Sequence, residues 1–204
     1  MLDTLLGAHP DVRRLQSGAA RAFYKAGIGA NTATIAGVVL GSLAGFAFAR
    51  GAAMLGIAIL ALSAGLDAID GTIARECGAS ATPLGGILDL SGDRVVETVV
   101  IIGIAWRHPA IYFAALLLVG SWYVNITVFL AVGAALEKGG PKLIEYPPGL
   151  LERTEALIFF GVLSLVMATN MLAPLGPWLC YAMTALEIAT GLQRLMFGMH
   201  MLRA

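Results

Sequence analysis

Charge is scarce in this 204-residue chain. Only 13% of its residues are Asp, Glu, Lys or Arg, while 58% are hydrophobic; soluble domains carry roughly 25% charged residues. A soluble fold this apolar lacks the polar residues to cover its own surface. Ordinary cytosolic, fibrous and disordered classes are therefore excluded, and an integral membrane protein remains. A surplus of one sign is also missing. Thirteen Lys and Arg balance thirteen Asp and Glu, so no basic field exists to hold nucleic acid. Cysteine is limited to Cys77 and Cys180, which form no CxxC pair and no disulfide framework, and both read as inert packed side chains. The three histidines, His9, His108 and His200, are scattered and read as interfacial residues, not metal ligands.

Long charged stretches are absent too, and what lies between the charges defines the architecture. Asp3, Asp11, Arg13, Arg14, Arg21 and Lys25 make the first thirty residues too polar for a signal peptide. Within them Val12, Leu15, Ala19 and Phe23 recur three or four apart, which predicts a short amphipathic helix on the membrane surface. Residues 1–27 are read as this juxtamembrane segment and 28–204 as the membrane domain. A helix needs ~20 residues to cross ~30 Å of hydrocarbon. Uncharged runs at Ile28–Ala49, Gly51–Leu66 and Pro109–Leu136 qualify, and Leu84–Trp106 does so despite Asp89, Asp93, Arg94 and Glu97. The apolar stretch after Arg153 is broken near Pro174-Leu175-Gly176-Pro177, giving spans at 153–172 and 177–198. The expectation is an all-α bundle of six transmembrane helices with an N-terminal amphipathic surface helix.

With six spans both termini share a side. That side receives Arg13, Arg14, Arg21, Lys25, Arg75, Lys138, Lys142, Arg153, Arg194 and Arg203, against Arg50 and Arg107 on the other, which predicts cytoplasmic termini. Gly37, Gly41 and Gly45 repeat every four residues in the first span, a spacing for close helix packing inside the bundle. Trp106, Trp122, Trp178 and Tyr112 read as an aromatic belt, and Asn125 as interhelical glue. Glu97 and Glu187 are expected to pair with Arg94 or Arg194, or to face a cavity.

The informative segment runs from Asp67 to Asp93. Asp67 and Asp70 share one helix face at i, i+3, and Asp89 and Asp93 share another at i, i+4. Antiparallel pairing of the two helices levels Asp67 with Asp93, each ~12 Å from its loop end, and puts Asp70 near Asp89. A carboxylate at mid-bilayer costs ~2.5–3.5 kcal/mol, so four together need compensating cations. All-oxygen ligands favour Mg²⁺ or Mn²⁺, and four carboxylates suit a two-ion site that clamps a transferring phosphoryl group. Gly71, Ala74 and Gly85 leave room for a substrate, and Arg75 can pair with phosphate oxygens. A carboxylate-based cation or proton transporter is the rival reading.

The pattern Asp67-x2-Asp70-Gly71-x2-Ala74-Arg75-x9-Gly85-x3-Asp89-x3-Asp93 resembles the signature of the CDP-alcohol phosphotransferase family at all eight fixed positions. That resemblance implies a membrane transferase moving a phosphatidyl group from a CDP-linked lipid to a small polar alcohol, with release of CMP. It implies that Asp67, Asp70, Asp89 and Asp93 are metal ligands and that Asp93 is also the general base. Gly71, Ala74, Arg75 and Gly85 would line the CDP pocket, with Arg75 on the diphosphate, and Asn31 and Thr34 are similar to an Asn-x-x-Thr pattern that opens the family's first helix. The aspartate helices run to a cytoplasmic loop, so the site is expected just inside the membrane on the cytoplasmic side, and the resemblance adds a homodimer. Lys138, Lys142 and Arg153 are candidates for an acceptor phosphate. The stretch Gly149–Glu155 is similar to a Gly-x-x-Glu-Arg-Pro-Glu-Arg segment of members that use inositol phosphate, but Thr154 replaces Pro and Ala156 replaces the second Arg. Glycerol 3-phosphate, inositol phosphate and unphosphorylated alcohols all stay open as acceptors.

Overall fold

The computed structural model describes residues 9–77, 82–137, 149, 151 and 153–202. Among them are seven α-helices and no strand: α1 (Pro10–Lys25), α2 (Ala30–Ala49), α3 (Ala53–Glu76), α4 (Pro83–Arg107), α5 (Tyr112–Glu137), α6 (Arg153–Ala168) and α7 (Gly176–Met201). Punctuation is written in the sequence. Pro10 opens α1 with Asp11 in its first turn and Lys25 in its last, both favourable to the helix dipole. Thr82 caps α4 by accepting the Gly85 N–H at 3.0 Å, one residue before Pro83. Short 3₁₀ turns at Pro109–Ile111 and Ala173–Leu175 lead into α5 and α7.

Three segments, Ala30–Ala49, Ala53–Glu76 and Pro109–Leu136, are long and apolar enough to cross a membrane. Large apolar side chains cover the outside of the bundle, among them Ile35, Val39 and Phe46 on α2, Phe113 and Leu116 on α5, and Leu192 and Met196 on α7. Such a surface is stable against lipid and not against water. The protein is an integral membrane protein. Hydropathy ended the second span at Leu66, yet α3 continues to Glu76, because helix geometry does not stop where the apolar run does. The span expected at 153–172 is shorter: α6 ends at Ala168, and Leu172 N–H closes a turn on Thr169 O at 2.9 Å.

Helix α2 packs tightly against both α3 and α4, which make little direct contact with each other instead of pairing as expected; α5 pairs with α7, α1 lies on α3, and α6 touches α3, α4 and α7. The α2 glycines sit inside the bundle as expected. A Cβ on Gly45 would strike the Val99 carbonyl, and one on Gly103 would strike Gly45 O, so α2 and α4 touch backbone to backbone. Ser63 Oγ of α3 donates to Gly37 O of α2 at 2.7 Å, a buried bond between those two helices. The main core gathers Val100, Ile101 and Ile104 of α4 with Leu118, Phe160 and Leu163. Trp122 belongs to this core, 5% exposed and edge-on to Phe160 at 5.8 Å, not to an interfacial belt. Trp106 and Trp178 are exposed near helix ends. A smaller cluster of Ala20, Ala33 and Ile73 seats α1 against α2 and α3, and Ser17 Oγ donates to Glu76 Oε1 at 3.0 Å.

Candidate active site

Two helical repeats of carboxylate meet where α3 and α4 run antiparallel. Carboxylate oxygens of Asp67, Asp89 and Asp93 all lie within 4.8 Å of one another. Asp67 and Asp93 are mostly buried and Asp89 is half exposed. Three hard oxygen donors at this separation fit a divalent cation such as Mg²⁺ or Mn²⁺. The expected convergence of four carboxylates is met by three. Asp70 stands beside that trio, its Oδ2 accepting a 2.5 Å hydrogen bond from Thr34 Oγ1 of α2. It still faces the same cavity of about 460 Å³, which Asp67, Asp89, Gly71 and Arg75 also line. Val12 and Gln16 form another part of that wall, so α1 closes one side of the site.

Arg153, the first residue of α6, reaches into the middle of the cluster. Its Nη1 pairs with Asp67, lies 2.5 Å from Asp93 Oδ1 and 3.8 Å from Asp89 Oδ1. Sequence placed Arg153 beside an acceptor; only the tertiary fold places it among the aspartates. Helical spacing carries no signal for a partner about sixty to ninety positions away in the chain.

A second cavity of about 400 Å³ adjoins the cluster. Asn31, Thr34, Gly71, Ala74, Arg75 and Gly85 all line it, together with Asp70 and Asp89. Small residues have a visible reason here. A Cβ on Gly71 would sit 3.0 Å from Arg75 Nη1, and one on Gly85 would sit 3.2 Å from Asn31 Oδ1, so both polar groups lie across glycine. Thr34→Val keeps the side-chain shape but removes the bond to Asp70. A hydrogen bond to a charged group is worth ~1.5–3 kcal/mol, so a loss of that order is expected in unfolding of the detergent-solubilised protein. An unchanged midpoint would remove this bond from the account.

A third, smaller cavity of about 180 Å³ lies on the other side of Asp93 and Arg153, against α5 and α7. Two polar pairs face it. Arg94 holds Glu97 through a 2.7 Å ion pair, and Arg194 Nη1 donates to Asn125 Oδ1 at 2.8 Å while Asn125 Nδ2 donates to Glu187 Oε2. Arg194 also stacks over Phe129, 4.8 Å from the ring centre. Both glutamates face this cavity; Glu97 also pairs with Arg94, whereas Glu187 reaches Arg194 only through Asn125. The link through Asn125 was not legible beforehand. Ala156, standing where the similar segment carries its second Arg, lines this cavity and is buried. Lys138 and Lys142 lie outside the described residues. Far from this region, burial and then the charge of Arg107 hold His108 below its ordinary pKa, in keeping with a neutral interfacial residue.

The sequence matches the CDP-alcohol phosphatidyltransferase family over residues 28–196. The chain belongs to that family. Its enzymes are divalent-metal-dependent transferases of phospholipid synthesis. Among curated relatives, an archaetidylinositol phosphate synthase of Pyrococcus horikoshii is 33% identical over 146 residues, spanning 71% of this chain and 73% of its own. The inner membrane protein YnjF of Escherichia coli is 29% identical over 172 residues, spanning 78% and 80%. The fold matches phosphatidylinositol phosphate synthase of Mycobacterium tuberculosis, solved with CDP-DAG bound, at a TM-score of 0.74 and 23% identity over 90% of this chain and 92% of that one. A structure of the same protein with manganese and citrate gives 0.74 at 22% identity, over 90% and 88%. This phosphatidyltransferase therefore shares both sequence signature and helical architecture with the family.

Proposed function

We propose that the protein transfers a phosphatidyl group from CDP-diacylglycerol to an alcohol such as glycerol 3-phosphate or inositol phosphate, releasing CMP, at the cytoplasmic face of a membrane. One observation carries the reading: the carboxylate cluster meets, at Asp89, the 400 Å³ cavity that every proposed CDP-lipid residue lines. In this reading six helices, α2 to α7, span the bilayer, α1 lies on its surface, and residues 28–204 act as one domain, with a homodimer as the assembly. The Lys and Arg bias puts both termini and the site on the cytoplasmic side.

Asn31, Thr34, Gly71, Ala74 and Gly85 shape the nucleotide end of the cavity, and Arg75 forks onto the diphosphate. Asp67, Asp70, Asp89 and Asp93 would hold two Mg²⁺ or Mn²⁺ ions, whose charge stabilises the diphosphate and the departing CMP. Asp93 lines the 180 Å³ cavity and lies beside Asp67 and Asp89, so it is placed to take the proton of a hydroxyl entering from that side. The acceptor's hydroxyl oxygen attacks the phosphorus that carries the lipid, and the bond to CMP breaks. Arg153 orients that acceptor, with Lys142 as a further contact. Kinship with an archaetidylinositol phosphate synthase supports inositol phosphate, whereas Ala156 removes one cation from the acceptor side.

The test is CMP release by purified protein with CDP-diacylglycerol, Mg²⁺ or Mn²⁺, and a panel of glycerol 3-phosphate, inositol phosphate, inositol and serine. Metal-dependent release with one acceptor supports the reading and names the product. Ion flux in liposomes without CMP release would favour a transporter instead. Arg75→Ala is expected to raise KM for CDP-diacylglycerol ~10-fold, about 1.4 kcal/mol of binding; an unchanged KM would remove Arg75 from the diphosphate.

A further inference from the structure

Arg153 lines two cavities at once: the 460 Å³ space that holds the carboxylates and the 180 Å³ space on the acceptor side. It serves as the counter-ion of Asp67 and Asp89, which line the first, and of Asp93, which lines the second. Those are the oxygens that would ligate a divalent cation, and a guanidinium cannot share that point with a second cation. Resting on the metal-dependent reading above, we propose that Arg153 is a displaceable counter-ion. It neutralises the carboxylates before metal enters and turns into the acceptor cavity afterwards, so that metal loading creates the site for an anionic acceptor.

The charges facing the smaller cavity support this. Arg94 is matched by Glu97, and Arg194 is matched through Asn125 by Glu187, so these two pairs formally cancel. Asp93 and Arg153 form the remaining charged wall and cancel as well. Once Asp93 is committed to a metal and Arg153 is released, the cavity changes from neutral to singly positive. Arg153 can then fork onto phosphate oxygens in a cavity that Arg194 also lines. Arg153 has the reach for this: it is the first residue of α6, and its long side chain already borders both spaces. Coupling of this kind is reciprocal, so bound phosphate must tighten metal binding by the same factor.

Titrating the full-length detergent-solubilised protein with Mn²⁺ and inorganic phosphate, each with and without the other, tests the proposal by calorimetry. Saturating Mn²⁺ is expected to tighten phosphate binding by ~10-fold or more, and phosphate to tighten Mn²⁺ equally. In Arg153→Gln, Mn²⁺ should bind more tightly than in the wild type when phosphate is absent, because its competitor is gone. The coupling should shrink below ~2-fold. Arg153→Lys keeps a cation among the carboxylates, so Mn²⁺ affinity should stay near wild type while phosphate binding to the loaded protein weakens several-fold. Wild-type phosphate affinity indifferent to Mn²⁺ would overturn the proposal. So would full coupling in Arg153→Gln, which would mean that phosphate simply ligates the ion, or an Arg153→Lys protein that binds phosphate normally. Failure of the wild type to bind Mn²⁺ would overturn the metal-site reading together with this one. Mn²⁺-dependent CMP release without coupling would overturn this one alone.

Discussion

Asp93→Asn is expected to cut CMP release by at least ~10³-fold while CDP-diacylglycerol still binds. A positioned general base contributes ~10²–10⁴ to a rate. Asn preserves the volume of the side chain but cannot accept the hydroxyl proton, and it removes one of the four carboxylates proposed for the metal site. Asp93 is mostly buried and lies 2.5 Å from Arg153, so no solvent group is placed to replace it. It is absent from the lining of the 400 Å³ cavity, which explains why lipid binding should survive. The rate is measured by CMP release and the binding by the thermal shift that CDP-diacylglycerol induces. Turnover within ~10-fold of wild type would strip Asp93 of the base role. Loss of binding along with turnover would show a folding defect.

Gly103→Ala and Gly120→Ala are expected to change stability in opposite directions. Both glycines sit inside helices, where Ala is favoured by ~1 kcal/mol. At Gly103 the new Cβ would land on the carbonyl of Gly45, and backbone cannot step aside as a side chain can. Overpacking costs ~1–3 kcal/mol and more in rigid places, so a net loss of about 2 kcal/mol is expected. At Gly120 a Cβ meets nothing within 4 Å, so the helix preference stands alone and the protein gains up to ~1 kcal/mol. Paired unfolding curves in one detergent decide the matter. A neutral Gly103→Ala would mean that α2 and α4 do not pack backbone to backbone. The consequence reaches the site, because α2 carries Asn31 and Thr34 while α4 carries Asp89 and Asp93.

The aspartate arrangement was legible because two short repeats, i, i+3 and i, i+4, fix faces without any tertiary knowledge, and a short connection forces the two helices antiparallel. Asn31 and Thr34 could be placed by their motif and do line the same cavity as Arg75. Three things were hidden. The bond that draws Asp70 toward Thr34 joins residues 36 apart. Arg153 was read as a contact for an acceptor phosphate, because sequence shows its charge without showing that Asp67, Asp89 and Asp93 neutralise it. Asn125, read as glue between helices, does bridge α5 and α7, yet it does so at the wall of a cavity, joining Glu187 to Arg194. Helix ends were legible where Pro or Gly marks them and less so after Ala168, where the helix gives way to a turn before Pro174.

The order of the chain divides the labour. Among the described residues, all those lining the 400 Å³ cavity fall between Gly29 and Asp89, and all those lining the 180 Å³ cavity fall between Leu90 and Arg194. The frontier passes through one turn of α4, between neighbouring residues. On the proposed reading, the first half of the chain selects the nucleotide-lipid donor and the second half selects the alcohol. Such an arrangement makes the halves interchangeable in principle. A hybrid carrying α5 to α7 from a relative with a different acceptor would inherit that relative's product and keep this protein's donor. Diversification of headgroups within one scaffold then needs changes only downstream of Asp89, leaving the upstream segment free to stay the same.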